Sequence, residues 1–155
     1  MKYSQATNYA LHTMLYFVAL PVGSTIGVHR LAKLQGLSPT YLSKILTKLV
    51  KAGIIESTPG VNGGYRLTRN KADLSFLEVI HAIEGTASLF HCGESEDQQG
   101  CLIQEVMTQA EQQMEDDLKE RKLVELVDKN PGLLSMLNSC QPLRHFAHEP
   151  ASREA

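Results

Sequence analysis

Residues 38 to 67 place a capped helix, a glycine stop and a glycine-rich hairpin in immediate succession. Ser38 is a helix N-cap residue, Pro39 suits the first helical position, and Gly53 ends the helix where a left-handed residue is needed. The spacing predicts a helix over 39–52. Leu42, Ile45, Leu46, Leu49 and Val50 recur every three or four residues and form the buried face. The opposite face carries Thr40, Tyr41, Ser43, Lys44, Thr47, Lys48 and Lys51. It is basic and rich in hydrogen-bonding groups, as a helix that enters a DNA major groove must be. Ile54, Ile55 and Glu56 then predict a strand, residues 59–64 a tight tip, and Tyr65, Arg66 and Leu67 the return strand. Upstream, 4–20 reads as a scaffold helix ended by Pro21 and Gly23, and 27–35 as a shorter helix capped by Thr25. Together these elements predict a mainly α fold with a small β-wing: a winged helix-turn-helix domain.

The net charge of −2 argues against a nucleic-acid partner until its distribution is considered. Residues 1–72 hold nine Lys and Arg against Glu56 alone, a net of +8, whereas 73–155 hold six basic and sixteen acidic residues, a net of −10. A basic half that attracts phosphate is joined to an acidic half that does not. The apolar stretch Met14 to Val22 resembles a signal core but is too short to span a bilayer, and it continues a helical pattern that begins earlier. It is expected to be a core helix of a cytoplasmic protein that makes no membrane contact. Three cysteines, an odd number, point away from a disulfide framework and toward inert, sensory or metal-binding thiols.

Four segments are expected: 1–85, the winged helix-turn-helix domain; 86–101, a cysteine-bearing sensor loop; 102–138, a dimerisation helix and short terminal helix; and 139–155, a tail. Ser75 and Glu78 form a capping box for a short helix that stops at Gly85. The loop is acidic between Cys92 and Cys101. From Leu102 to about Asp128, the residues Ile103, Val106, Met107, Ala110, Met114, Leu118, Val124 and Leu126 draw a narrow stripe along one helix roughly 40 Å long. A second protomer is the simplest cover for such a stripe, and a homodimer presents two reading heads to a near-palindromic site. A last short helix is expected over 133–137.

The chain resembles the Rrf-two family of bacterial winged-helix regulators. The resemblance covers about residues 3–128 and rests on Thr7 to Leu11, Leu37 to Leu46, Leu49 to Gly53, Gly60 to Tyr65, Ala82 to Gly85, and Cys101-Leu102 opening the long helix. It implies a dimeric repressor or dual regulator of transcription, bound to a double-stranded DNA operator, whose affinity follows a redox, metal or small-molecule signal. Some relatives are also controlled by a partner enzyme. Cluster-binding members carry three closely spaced cysteines before the long helix, whereas this chain has Cys92 and Cys101 with eight residues between them. The positions at which some members supply a histidine or an acid correspond to Gln104 and Asn8. Two alternatives stay open: no cofactor, or an iron-sulfur cluster at Cys92 and Cys101 completed by His91, His29 or Glu84.

The expected DNA-binding set is Ser38, Thr40, Tyr41, Ser43, Lys44, Lys48, the Gly63 and Gly64 amides, and Arg66, with Arg69 as a further cation. Tyr41 and Ser43 are the candidates for base edges, although Tyr41 could equally pack on the first helix. Cys92 and Cys101 are the candidate redox pair, since a neighbouring His91 and a helix N-terminus each lower a thiol pKa. Cys140 lies near His145 and His148 but lacks a second cysteine pair. No acid, base and nucleophile set suggests an enzyme.

Overall fold

The computed structural model describes residues 2–93, 101–133 and 135. The order is α1 (Gln5–Ala19), α2 (Val28–Gln35), α3 (Pro39–Lys51), β1 (Ile55–Thr58), β2 (Gly64–Leu67), a 3-10 turn (Lys71–Asp73), α4 (Phe76–Glu84), α5 (Leu102–Glu120) and α6 (Leu123–Lys129). Helix α3 forms as its caps and stripe dictate. Ser38 Oγ accepts the Tyr41 amide at 3.1 Å, Leu42, Ile45, Leu46 and Leu49 are buried, and Gly53 turns the chain at φ 72°. Burying each of these side chains contributes at most about 1.5–3 kcal/mol.

The wing is an antiparallel pair with Ile55 opposite Leu67 and Thr58 opposite Gly64. A third segment joins it, because Ile26 and Tyr65 exchange backbone hydrogen bonds at 2.9 Å in both directions. Gly64 permits that approach: a Cβ there would stand 2.7 Å from the Ile26 carbonyl oxygen. Thr25, expected as the α2 cap, instead donates to the Asn62 carbonyl at 3.1 Å and ties the α1–α2 turn to the wing tip. Gly27 occupies the cap position without a side-chain bond. A hydroxyl that can reach a neighbouring turn need not cap its own helix.

The core gathers Ala10, Met14, Tyr16, Phe17 and Val18 of α1 with the buried faces of α2, α3 and α4. The stretch Met14 to Val22 thus begins as core helix, and among the described residues no helix is long and apolar enough to cross a membrane. Tyr16 is fully buried, its hydroxyl has no hydrogen-bond partner among the described residues, and burial pushes its pKa up to about 12.

The expected single helix over 102–128 is broken at Arg121 and Lys122. The Arg121 carbonyl accepts the Phe76 amide at 3.1 Å, and the Leu123 amide donates to the Leu74 carbonyl at 3.1 Å. These bonds pull the chain back onto the α4 entrance, so α6 packs on α1 and buries Leu123 completely. Val124 reaches the same core, whereas Leu126 stays 42% exposed. Leu133 also enters the core, but Leu134 and residues 136–155, with the rest of the expected last helix, Cys140 and the tail, lie outside the described residues.

Candidate nucleic-acid interface and thiol pair

Helix α3 presents Thr40, Lys44 and Thr47 fully exposed and Ser43 half-buried. Lys51 is exposed as well, and the Thr47 hydroxyl donates to the Ser43 carbonyl at 2.8 Å within the helix. The other expected contacts are engaged elsewhere to differing degrees. Ser38 uses its hydroxyl as the cap. The Tyr41 ring stands edge-to-face against Tyr9 of α1, with centroids 5.9 Å apart, so it packs on the first helix while remaining 36% exposed. The Lys48 ammonium donates to the Ile83 carbonyl at 3.2 Å, in the last turn of α4, where the helix dipole favours a cation. This bond braces α3 against α4, while the Lys48 side chain remains exposed.

The wing revises the sequence reading in a similar way. The Gly63 amide already donates to the Gly60 carbonyl at 3.0 Å, and a Cβ on Gly63 would lie 2.2 Å from the Thr58 carbonyl oxygen. Gly63 and Gly64 are thus required by the packing of the wing itself. Arg66 pairs with Glu56 across the two strands at 2.5 Å, both side chains remaining nearly half exposed. Arg69 pairs with Glu78 of the α4 capping box. Surface pairs of this kind are weak enough for a phosphate to displace.

The cysteine loop is fastened to α5 by two side chains. Glu111 accepts the Ser88 hydroxyl at 2.7 Å and the Leu89 amide at 2.9 Å. Gln104 accepts the Cys92 amide at 2.7 Å and donates to the Phe90 carbonyl at 3.1 Å. These bonds bring Cys92 to Cys101 at the head of α5. The two thiols interact unequally: their mutual hydrogen bond raises Cys92 and lowers Cys101, and the Gln104 and Ile103 amides lower Cys101 further, without a fully formed cap bond. Both thiols were expected to be lowered; only Cys101 is. Cys101 is thus the readier thiolate and Cys92 the proton donor.

The remaining candidate ligands are dispersed. Glu84 accepts the Thr7 hydroxyl at 2.5 Å and the Ser4 amide at 2.7 Å, which hold its carboxyl below the usual range and commit it to the α1 N-terminus. His91 is exposed and near enough to Glu111 to help lower that carboxyl, after the Ser88 bond. His29 sits in the first turn of α2.

A family model described as an iron-dependent transcriptional regulator, Rrf2, matches residues 3–129. The chain belongs to the Rrf2 family of transcriptional regulators. It is 30% identical over 135 residues to YwgB of Bacillus subtilis, provisionally named an HTH-type transcriptional regulator, covering 83% of this chain and 86% of that one. In structure it is similar to CymR, the global cysteine regulator of B. subtilis, with a TM-score of 0.70 at 22% identity over 83% of this chain and 98% of that one. The oxidized form of Staphylococcus aureus CymR superposes with a TM-score of 0.65 at 25% identity, covering 83% and 97% of the two chains. The mainly helical fold with its two-stranded wing is therefore that of this regulator family.

Iron, which the family description names, does not fit the donors in view. Among the described residues no group of three or more His, Cys, Asp or Glu side chains converges on one point. Cys92 and Cys101 stand together, but Gln104 and Glu84 are bound elsewhere. The acidic residues of 94–100 and Cys140 lie outside the described residues.

Proposed function

We propose that this Rrf2-family regulator is a homodimeric repressor that reads a near-palindromic duplex through α3 and the wing, with its affinity set by the thiol state of Cys92 and Cys101. The observation that carries the DNA reading is the exposed Thr40, Ser43, Lys44 and Thr47 surface of α3, flanked by the weakly paired Arg66 and Arg69. Helix α5 supports the dimer, since Leu102, Ile103 and Val106 are 63 to 75% exposed in one chain. Placement of both cysteines beside that helix would let a thiol change alter the spacing of two reading heads.

The oxidation step balances with a hydroperoxide as oxidant. The Cys101 thiolate attacks one peroxide oxygen, the O–O bond breaks, and hydroxide or alkoxide leaves as Cys101 becomes a sulfenic acid. The Cys92 thiol then displaces that hydroxyl as water and closes a disulfide. The sulfurs lose two electrons in total and the peroxide gains two.

Selection from a random duplex pool, followed by fluorescence anisotropy, tests the reading. The wild-type dimer is expected to recover a two-fold-related motif. A Tyr41→Ala, Ser43→Ala, Lys44→Ala variant that stays folded should bind that motif no better than random duplex; full retention of specificity would sink α3 as reader. Mild hydrogen peroxide should remove two thiols reversibly and change affinity, and Cys92→Ser with Cys101→Ser should abolish both responses. Peroxide sensitivity surviving in the double variant would place the signal elsewhere.

A further inference from the structure

Between the α1–α2 turn and the root of the wing lies an open cavity of about 630 Å³, a size typical of small-molecule sites. Its lining divides by chemistry. Leu20 and Leu67, backed by the buried Phe17, form an apolar wall, and Val22, at 91% exposure, adds apolar surface that the fold leaves uncovered. Facing this wall are Arg66, Arg69 and Lys71, with Glu56 the single acidic residue in the lining. Two of the cations are neutralised within the protein, Arg66 by Glu56 and Arg69 by Glu78. Lys71 is half-buried, and its ammonium makes no hydrogen bond or ion pair among the described residues.

A half-buried lysine beside an apolar wall, without a partner among the described residues, is best satisfied by a molecule that brings an anion and an apolar body together. An inorganic anion would leave the wall wet, and a neutral hydrocarbon would leave Lys71 without a partner. We propose that this cavity binds a small organic monocarboxylate, its carboxylate on Lys71 and its body against Leu20, Val22 and Leu67. The Glu56–Arg66 pair bridges β1 and β2 in the same lining, so a bound carboxylate competes with Glu56 for Arg66 and alters the cationic edge of the wing. That last coupling rests on the proposed DNA reading; the binding does not.

The experiment is a titration of the full-length ¹⁵N-labelled protein, without DNA, using octanoate, 1-octanol and inorganic phosphate as probes. Octanoate is expected to give saturable amide shifts confined to residues 20–24, 56 and 66–71. Lys71→Met, which keeps the aliphatic stem, should weaken octanoate by about tenfold or more, the worth of one charge-assisted bond, while leaving the remaining spectrum unchanged. Octanol and phosphate should each bind at least about tenfold more weakly than octanoate. Absence of saturable shifts, octanol or phosphate matching octanoate, or undiminished binding in Lys71→Met would overturn the site. Octanoate binding in a protein that recognises no duplex would break the DNA reading and leave this site standing.

Discussion

Helices α3 and α5 carry the same kind of amphipathic stripe and meet opposite fates. In α3 the stripe is closed: Leu42, Ile45, Leu46 and Leu49 are each no more than 2% exposed. In α5 no residue is buried, and Ile103 and Val106 remain more than 60% exposed. An apolar period announces that a face will be covered, but it does not say by what. Helices α1, α2 and α4 and strand β1 cover α3 within the chain. On α5 the half nearest α4 is partly covered, whereas Leu102, Ile103 and Val106 stay exposed, and a second copy is their proposed cover.

The largest effect should come from breaking the closed stripe. Leu46→Ala is expected to lower the unfolding free energy by about 2–5 kcal/mol in urea denaturation, because Leu46 is fully buried and its removal leaves a cavity. Little or no loss would mean that α3 is far less tightly packed than it looks. Next comes Val106→Asp on the open stripe, which should weaken dimerisation about 30-fold or more in sedimentation experiments while leaving the helical content intact. A dimer indifferent to that charge would move the interface off α5.

Within α3 the comparison sharpens to two lysines one turn apart. Lys48→Met should cost about 1 kcal/mol of stability through the lost Ile83 bond and leave the salt dependence of DNA binding unchanged. Lys44→Met should do the reverse, reducing the log–log salt slope by about one while sparing stability. Exchanged results would make Lys48, and not Lys44, the phosphate contact.

A smaller change is expected for Glu84→Gln, at under about 1 kcal/mol, because the carboxylate is exposed and screened by solvent. The folded protein holds this carboxyl below its ordinary value of 4.5 through Thr7 and Ser4. Its contribution is therefore present above pH 4.5 and is lost as pH falls through the folded value. The variant should show a shallower acid limb in stability against pH, and an unchanged limb would remove Glu84 from the α1 cap. Smallest of all, Tyr16→Phe should leave stability within about 1 kcal/mol of the parent, toward greater stability, since the buried hydroxyl has no partner to lose. A marked loss would reveal a hidden bond.

Much of the winged domain was legible because its determinants are local. Ser38, Pro39 and Gly53 bound α3, the Ser75–Glu78 box opens α4, and the Asn62-Gly63-Gly64 run turns the wing, each acting over a few residues of chain. The candidate site was legible only in part. Ser43 and Lys44 could be read from helical phase, but the diversion of Lys48 to Ile83 spans 35 residues and leaves no trace in any local pattern. Glu84 at the head of α1, 77 residues from Thr7, is hidden for the same reason. Gln104 was noticed only as a departure from a ligand pattern, yet it clamps the Cys92 loop.

The amino-acid sequence by itself determined the helix faces, their caps, the wing and the separation of basic and acidic halves, since period, propensity and charge act along the chain. The tertiary structure alone decided where α5 ends, because the Leu74–Leu123 and Phe76–Arg121 backbone bonds outweigh a helical pattern that runs on to Asp128. It also decided that Lys48 reaches the Ile83 carbonyl and that Gln104 ties Cys92 to the head of α5. Those outcomes depend on distances between residues far apart in sequence, and only packing fixes them.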